Sequence, residues 1–157
     1  MQWDEFSEWG RKITEWAADY HRNIRDLPVR AQTEPGAVRA QLPIAPPENS
    51  EDMSTIMGDF ERIVMPGMTH WQHPRFFAYF PANAAPPSML AEMLVSTIAA
   101  HCMLWQTSPA ATEMEQVMVD WLRQALGLSS VYTGVIQDSA SSATLSAVLT
   151  LPHRPTG

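Results

Sequence analysis

The chain has 157 residues, 45% hydrophobic and 17% charged, enough for one compact domain with a core and too few for two large ones. Ten Lys and Arg against seventeen Asp and Glu give a net charge of −7 with no basic run, which argues against nucleic acid as a partner. A single cysteine, Cys102, excludes an intrachain disulfide framework, and neither a leader-like start nor an apolar run of about 18 residues is present, so a cytoplasmic protein without a membrane span is expected.

From Trp3 to Ile24 the residues Trp3, Phe6, Trp9, Ile13, Trp16, Tyr20 and Ile24 recur every three or four positions and predict a helix with one broad aromatic face. That face either folds back on its own domain or packs on a partner chain, and the spacing alone does not choose. Residues 28–48, rich in proline, read as an extended connector. Met53, Ile56, Met57, Phe60, Ile63 and Val64 mark a second helix, stopped by Pro66 and Gly67.

Residues 66–81 place five aromatic rings and two histidines among three prolines. This suits neither an amphipathic helix nor a solvated linker, and reads as an ordered, ring-lined loop: a substrate wall, or a clamp over a core. Pro86, Pro87 and Ser88 open a third helix through Leu90, Met93, Leu94 and Ile98. In the fourth, Ser108 is the expected N-cap, Pro109 the first helical residue, Met114 to Leu126 the apolar stripe, and Gly127 the stop.

Gly134-Val135-Ile136-Gln137 is a candidate strand. It runs into Asp138-Ser139-Ala140-Ser141-Ser142-Ala143-Thr144 and a fifth helical pattern, which Pro152 and Pro155 are expected to break. A helix start rich in hydroxyls is an anion site, or simply an N-cap.

Other chemistry is poorly supported. His70, His73, His101 and Cys102 lack metal-ligand spacing, so no metal is expected. The serines lack the glycines of a nucleophile elbow, and Glu113, Glu115 and Asp120 read as a solvated helix face.

Three segments in one register carry a resemblance: Met65 to Pro81 with its Tyr79-Phe80-Pro81 end, Trp105-Gln106-Thr107-Ser108-Pro109 with the acids that follow, and Val135 to Thr144. Together they closely resemble the N-terminal part of the pyridoxal-phosphate-dependent group II amino-acid decarboxylases, the aromatic-L-amino-acid decarboxylase kind most of all, from about Phe6 to Thr150.

The resemblance implies a homodimer of the aspartate-aminotransferase-like fold (PLP fold type I). This fragment, mostly α, would supply an N-terminal helical arm lying across the neighbouring subunit and the start of a large α/β domain. On that basis residues 1–85 hold the arm and the aromatic substrate-wall loop, and 86–157 begin the domain that binds pyridoxal 5'-phosphate. It also implies that Ser139, Ala140 and Ser141 bind the cofactor phosphate, that Tyr79, Phe80, Pro81 and Ala82 line the substrate pocket, and that His101 and Met103 reach the partner's substrate site.

Ala82 stands where animal aromatic decarboxylases carry a hydroxyl residue, His101 and Met103 replace apolar and aromatic residues, and Asp138 replaces a glycine and is expected to point away from a phosphate. The family's reactive groups, a Schiff-base lysine, a histidine stacked on the cofactor and an aspartate at its ring nitrogen, lie downstream of the serine turn. The only lysine here is Lys12, in the predicted arm. The last seven residues leave the family pattern, as a truncation or frame change would produce.

The expected parent reaction is release of CO2 from an L-amino acid, aromatic by resemblance, to give an amine. No catalytic residue is assigned, and the chain alone is expected to be inactive. The alternative is a stand-alone helical interaction module that pairs with a full-length decarboxylase.

Overall fold

A computed structural model describes residues 1–80 and 84–150, arranged as two compact units, Met1–Pro86 and Pro87–Gly157. The first unit opens with helix α1 (Trp3–Asn23), followed by a 3-10 turn at Ile24–Asp26. The Gln2 N–H donates to the Glu5 carboxylate at 2.8 Å, closing the first turn. Asp4 and Glu5 at the start and His21 and Arg22 at the end complement the helix dipole. Lys12 is held by Glu8 at 2.5 Å and lies 4.4 Å from the centre of the Trp9 ring.

Helix α2 (Met53–Asp59) is capped by Asp52, whose carboxylate accepts the Thr55 N–H at 2.9 Å. The Ser54 hydroxyl and the Thr55 amide together hold the Asp52 carboxyl below its ordinary range. The helix then loosens into a π turn at Phe60–Val64 and tightens into a 3-10 turn at Met65–Gly67. The expected single helix to Val64 therefore changes its winding before the proline arrives, which turns Ile63 inward. A Cβ on Gly67 would lie 2.8 Å from Val38 Cγ2, so the connector packs against this glycine.

The small core sits here. Ile24 and Ile63 are buried, and Trp16 stacks on Tyr20 at 5.5 Å and meets Phe60 edge-on at 5.3 Å. The two readings of the aromatic face divide along α1: its C-terminal half folds back within the unit, whereas Trp3 stays 83% exposed.

The second unit carries α3 (Pro86–Ile98), α4 (Pro109–Ala125) and α5 (Ala140–Thr150). Helix α4 ends as its sequence predicts. Gly127 adopts φ +67°, its N–H donates to Gln124 C=O at 3.0 Å, and the Leu128 N–H donates to Arg123 C=O at 3.0 Å. Its start differs from expectation: the Ser108 side chain makes no cap bond, and its carbonyl accepts instead from the Thr112 N–H at 3.1 Å.

The candidate strand at 134–137 is also corrected. No strand occurs among the described residues, and the Ile136 N–H donates to the Glu115 carboxylate at 2.7 Å. The "mostly α" expectation stands, and the sheet of an α/β domain is not represented among them. The expected break after Thr150 falls on residues 151–157, outside the described residues.

Among the described residues of this second unit none is buried. Its apolar side chains Leu94, Ile98, Trp121 and Leu122 are each more than half exposed.

Candidate functional site

In the first unit, the loop after the 3-10 turn is fastened at its base and open at its tip. The His70 N–H donates to Val29 C=O at 2.9 Å, and Thr69 Oγ1 accepts from the Ala31 N–H at 3.3 Å. The His73 and Phe76 N–H groups then close successive turns on His70 and His73 carbonyls, each at 2.9 Å. These bonds carry the rings into a ladder, with Trp71 4.9 Å from Phe76 and stacked on Tyr79 at 5.7 Å.

Tyr79 sits at φ +56°, a left-handed conformation that costs a non-glycine residue about 1 kcal/mol. Phe77, Tyr79 and Phe80 project outward, each more than 80% exposed. The loop is thus packed at its base, where His70 and His73 are buried, and exposed at its tip. Pro81 and Ala82, also expected in the wall, lie outside the described residues.

In the second unit, His101 and Met103 line one open hollow of about 770 Å³ together with Ile98, Ser108 and Pro109. The turn at Ala99, with φ +50°, throws the chain off the end of α3, and the Trp105–Thr107 3-10 turn returns it to the start of α4. Glu113 fixes that return by accepting the Trp105 indole N–H at 2.9 Å.

The serine turn is the start of α5. Ser139 is its N-cap: its Oγ accepts the Ser142 N–H at 3.3 Å and lies 3.2 Å from Ser142 Oγ. Ala140 and Ser141 are the first two helical residues, so their N–H groups have no carbonyl one turn back. Ser141 is exposed, and its hydroxyl makes no hydrogen bond among the described residues. Ser139 thus serves as a plain cap, and Ala140 and Ser141 follow it with N–H groups at the open end of the helix. Asp138 is exposed beside them.

Two features that position this turn escape a reading of the sequence. Glu115, expected on a solvated face, accepts the Ile136 N–H at 2.7 Å and ties the extended approach segment to α4. Gly134 lets that segment lie close, since a Cβ there would stand 2.8 Å from Val119 Cγ1. Asp120, by contrast, pairs within its own helix. The Arg123 guanidinium at 2.7 Å and the Gln124 amide at 2.6 Å lower its carboxyl below the ordinary range. Glu115 is half-buried and lies across the helix from Glu113 and Asp120, which are exposed.

The expected site residues therefore fall in both units, Tyr79 and Phe80 in the first, and His101, Met103, Ser139, Ala140 and Ser141 in the second. No described cluster of three or more His, Cys, Asp or Glu has metal-binding geometry. His70 and His73 are instead engaged with a phenol and with the backbone.

Comparison with known proteins adds the following. Residues 35–156 match the model of the pyridoxal-dependent decarboxylase conserved domain. Aromatic-L-amino-acid decarboxylase of Cavia porcellus is 44% identical, the match covering 95% of this chain and 33% of the relative. Histidine decarboxylase of Homo sapiens is 40% identical over 95% of this chain and 24% of its own length. The crystal structure of Catharanthus roseus tryptophan decarboxylase in complex with L-tryptophan superposes with a TM-score of 0.92 at 34% identity, covering 98% of this chain and 34% of that one. The chain thus spans about a quarter to a third of the length of these relatives.

Proposed function

The chain belongs to the pyridoxal-dependent decarboxylase family, and on that premise we propose that the complete protein releases CO2 from an L-amino acid, an aromatic one, to give an amine. Residues 1–85 serve as dimer arm and pocket wall in this reading, and residues 86–157 as the start of the cofactor-binding domain. The observation that carries it is the opening of α5, where Ser139 closes the helix cap while the Ser141 hydroxyl and the first N–H groups stay uncommitted.

That donor set fits a phosphate group. Ser141 Oγ with the Ala140 and Ser141 amides would hold the phosphate of pyridoxal 5'-phosphate, and Glu115 and Gly134 would set the height of the turn through Ile136. Residues that hold that cofactor would place beside the substrate an electron sink for the carbanion left by CO2 loss. The chain's own residues bind and shape. In this reading Tyr79, Phe80, Pro81 and Ala82 would line one wall for an aromatic side chain, and His101 and Met103 would reach the substrate site of a second subunit.

Three observations support the wider reading. Two named relatives act on aromatic amino acids. The exposed Trp3 and Phe6 at the start of α1 suit an arm that packs on another subunit of a homodimer. The lone, exposed Cys102 suits the cytoplasm, and no helix among the described residues is long and apolar enough to cross a membrane.

The only lysine, Lys12, is occupied by Glu8 and Trp9 on α1. The lysine that the reaction needs must come from chain beyond this segment. Mixing the 157-residue chain with the lysine-bearing remainder of an aromatic decarboxylase, cofactor and labelled L-tryptophan or L-tyrosine tests this. The expected result is CO2 from the mixture and none from either part alone; CO2 from the 157-residue chain alone would refute it.

A further inference from the structure

We infer that Glu113 is a positioning residue for His101 and Met103: by accepting the Trp105 indole N–H it pins the segment between α3 and α4 to the body of α4, and so sets where the rim of the hollow stands. The bond is 2.9 Å long and runs from the 3-10 turn before α4 to the second turn of that helix. Its weight comes from what the rest of the segment lacks.

At its start the segment leaves α3 through Ala99, whose N–H still donates to Val95 C=O at 2.9 Å and whose φ of +50° turns the chain away. At its end the other bonds are local. The Leu104 carbonyl accepts the Thr107 N–H at 3.1 Å, the Thr107 hydroxyl at 2.8 Å and the Ser108 N–H at 3.3 Å, closing the turn on itself. Between the two ends, Ala100, His101, Cys102 and Met103 make no backbone hydrogen bond among the described residues, and Cys102 Sγ reaches only the Ala100 carbonyl, at 4.0 Å. His101, Cys102 and Met103 are all exposed, so packing does not hold them either. Among the described residues, the bond to Glu113 is the only side-chain hydrogen bond from residues 99–107 to α4.

Two properties make that one bond an anchor. Its acceptor is a carboxylate, so the bond is charge-assisted. Its donor sits on a rigid ring turned by only two torsions, so holding Nε1 holds the backbone two residues from Met103. Glu115, on the opposite side of the helix, accepts the Ile136 N–H at 2.7 Å. One helix thus carries two carboxylates with separate loads: Glu115 holds the segment that leads to the serine turn, and Glu113 holds the segment that carries His101 and Met103. That this rim meets a substrate rests on the proposed reaction, whereas its anchoring is a property of this chain alone.

Cys102 is the only cysteine and is exposed, so a thiol-directed nitroxide labels the rim and nothing else. In the 157-residue chain the label should become about twofold more mobile in E113A, equally so in W105F, and no more so in the double variant, because the two residues share one interaction. E113Q, whose amide oxygen accepts the same proton, should recover about half of the difference or more. E115A should leave the line shape as it is. Before any substitution, the Trp105 indole proton should exchange about threefold or more slowly than that of Trp121. The two rings are similarly exposed, at 53% and 60%, but Trp121 donates to nothing among the described residues.

Joined to the lysine-bearing remainder of an aromatic decarboxylase, E113A should raise the KM for L-tryptophan about threefold to tenfold, with kcat and the affinity for pyridoxal 5'-phosphate within about twofold of the parent. A Trp105 proton that exchanges as fast as that of Trp121, an unchanged line shape in E113A, or an E113Q as mobile as E113A would overturn the anchoring. A mobile rim with an unchanged KM, or with kcat and cofactor affinity lost together, would overturn its role toward substrate. A joined parent that releases no CO2 would refute the proposed reaction, while the line shape still decides the anchoring.

Discussion

The two units of this chain treat their apolar residues differently. In Met1–Pro86 the rings of Trp16, Tyr20 and Phe60 meet one another and close over Ile24 and Ile63. In Pro87–Gly157 three helices present Leu94, Ile98, Trp121, Leu122 and Leu149 outward, each more than half exposed, with nothing buried among the described residues. The first can support a loop by itself. The second holds its serine turn in place by local devices, a glycine stop, a capping serine and one carboxylate, and leaves its apolar faces for another layer to cover.

Substitutions can break or sharpen this contrast. Ile63→Ala removes a side chain 3% exposed and should cost the first unit about 2 to 3 kcal/mol, read by chemical denaturation followed through tryptophan fluorescence. Leu122→Ala, the same kind of deletion at a site 59% exposed, should change the stability of this chain by less than about 0.5 kcal/mol. Equal losses at the two sites would erase the contrast.

Within the second unit, Gly127→Ala forces a Cβ into φ +67° and should cost α4 about 1 kcal/mol, visible as faster exchange at the Gly127-position and Leu128 amides. Glu115→Ala frees the Ile136 N–H and should cost about 0.5 to 1 kcal/mol. Exchange at Ile136 should rise while the helix content of α4 stays as it was.

How much of this could be read from the sequence depends on whether the signal is local. The spacing of Trp3 to Ile24 located α1, and Gly127 located the end of α4, because periodicity and a left-handed stop are properties of adjacent residues. The π turn at Phe60–Val64 was not legible, since its residues fit an ordinary helical stripe equally well. Val135 and Ile136 have strand-forming side chains, yet a strand needs a partner, and the Ile136 N–H went to Glu115 instead. Ser139 and Ser141 were legible as a pair, but the division between cap and free hydroxyl depends on which residue precedes the first turn. The contacts of His70 and His73 reach about fifty residues back along the chain, to Tyr20 and Arg25, which spacing does not reveal.

The most direct test of the account compares amide exchange in the 157-residue chain alone and joined to the lysine-bearing remainder of an aromatic decarboxylase. The account predicts that amides around Ile24 and Ile63 are protected in both states, whereas those of α3, α4 and α5 gain about tenfold or more in protection only when joined. Equal protection of those three helices in the chain alone would contradict the claim that their apolar faces await a covering layer.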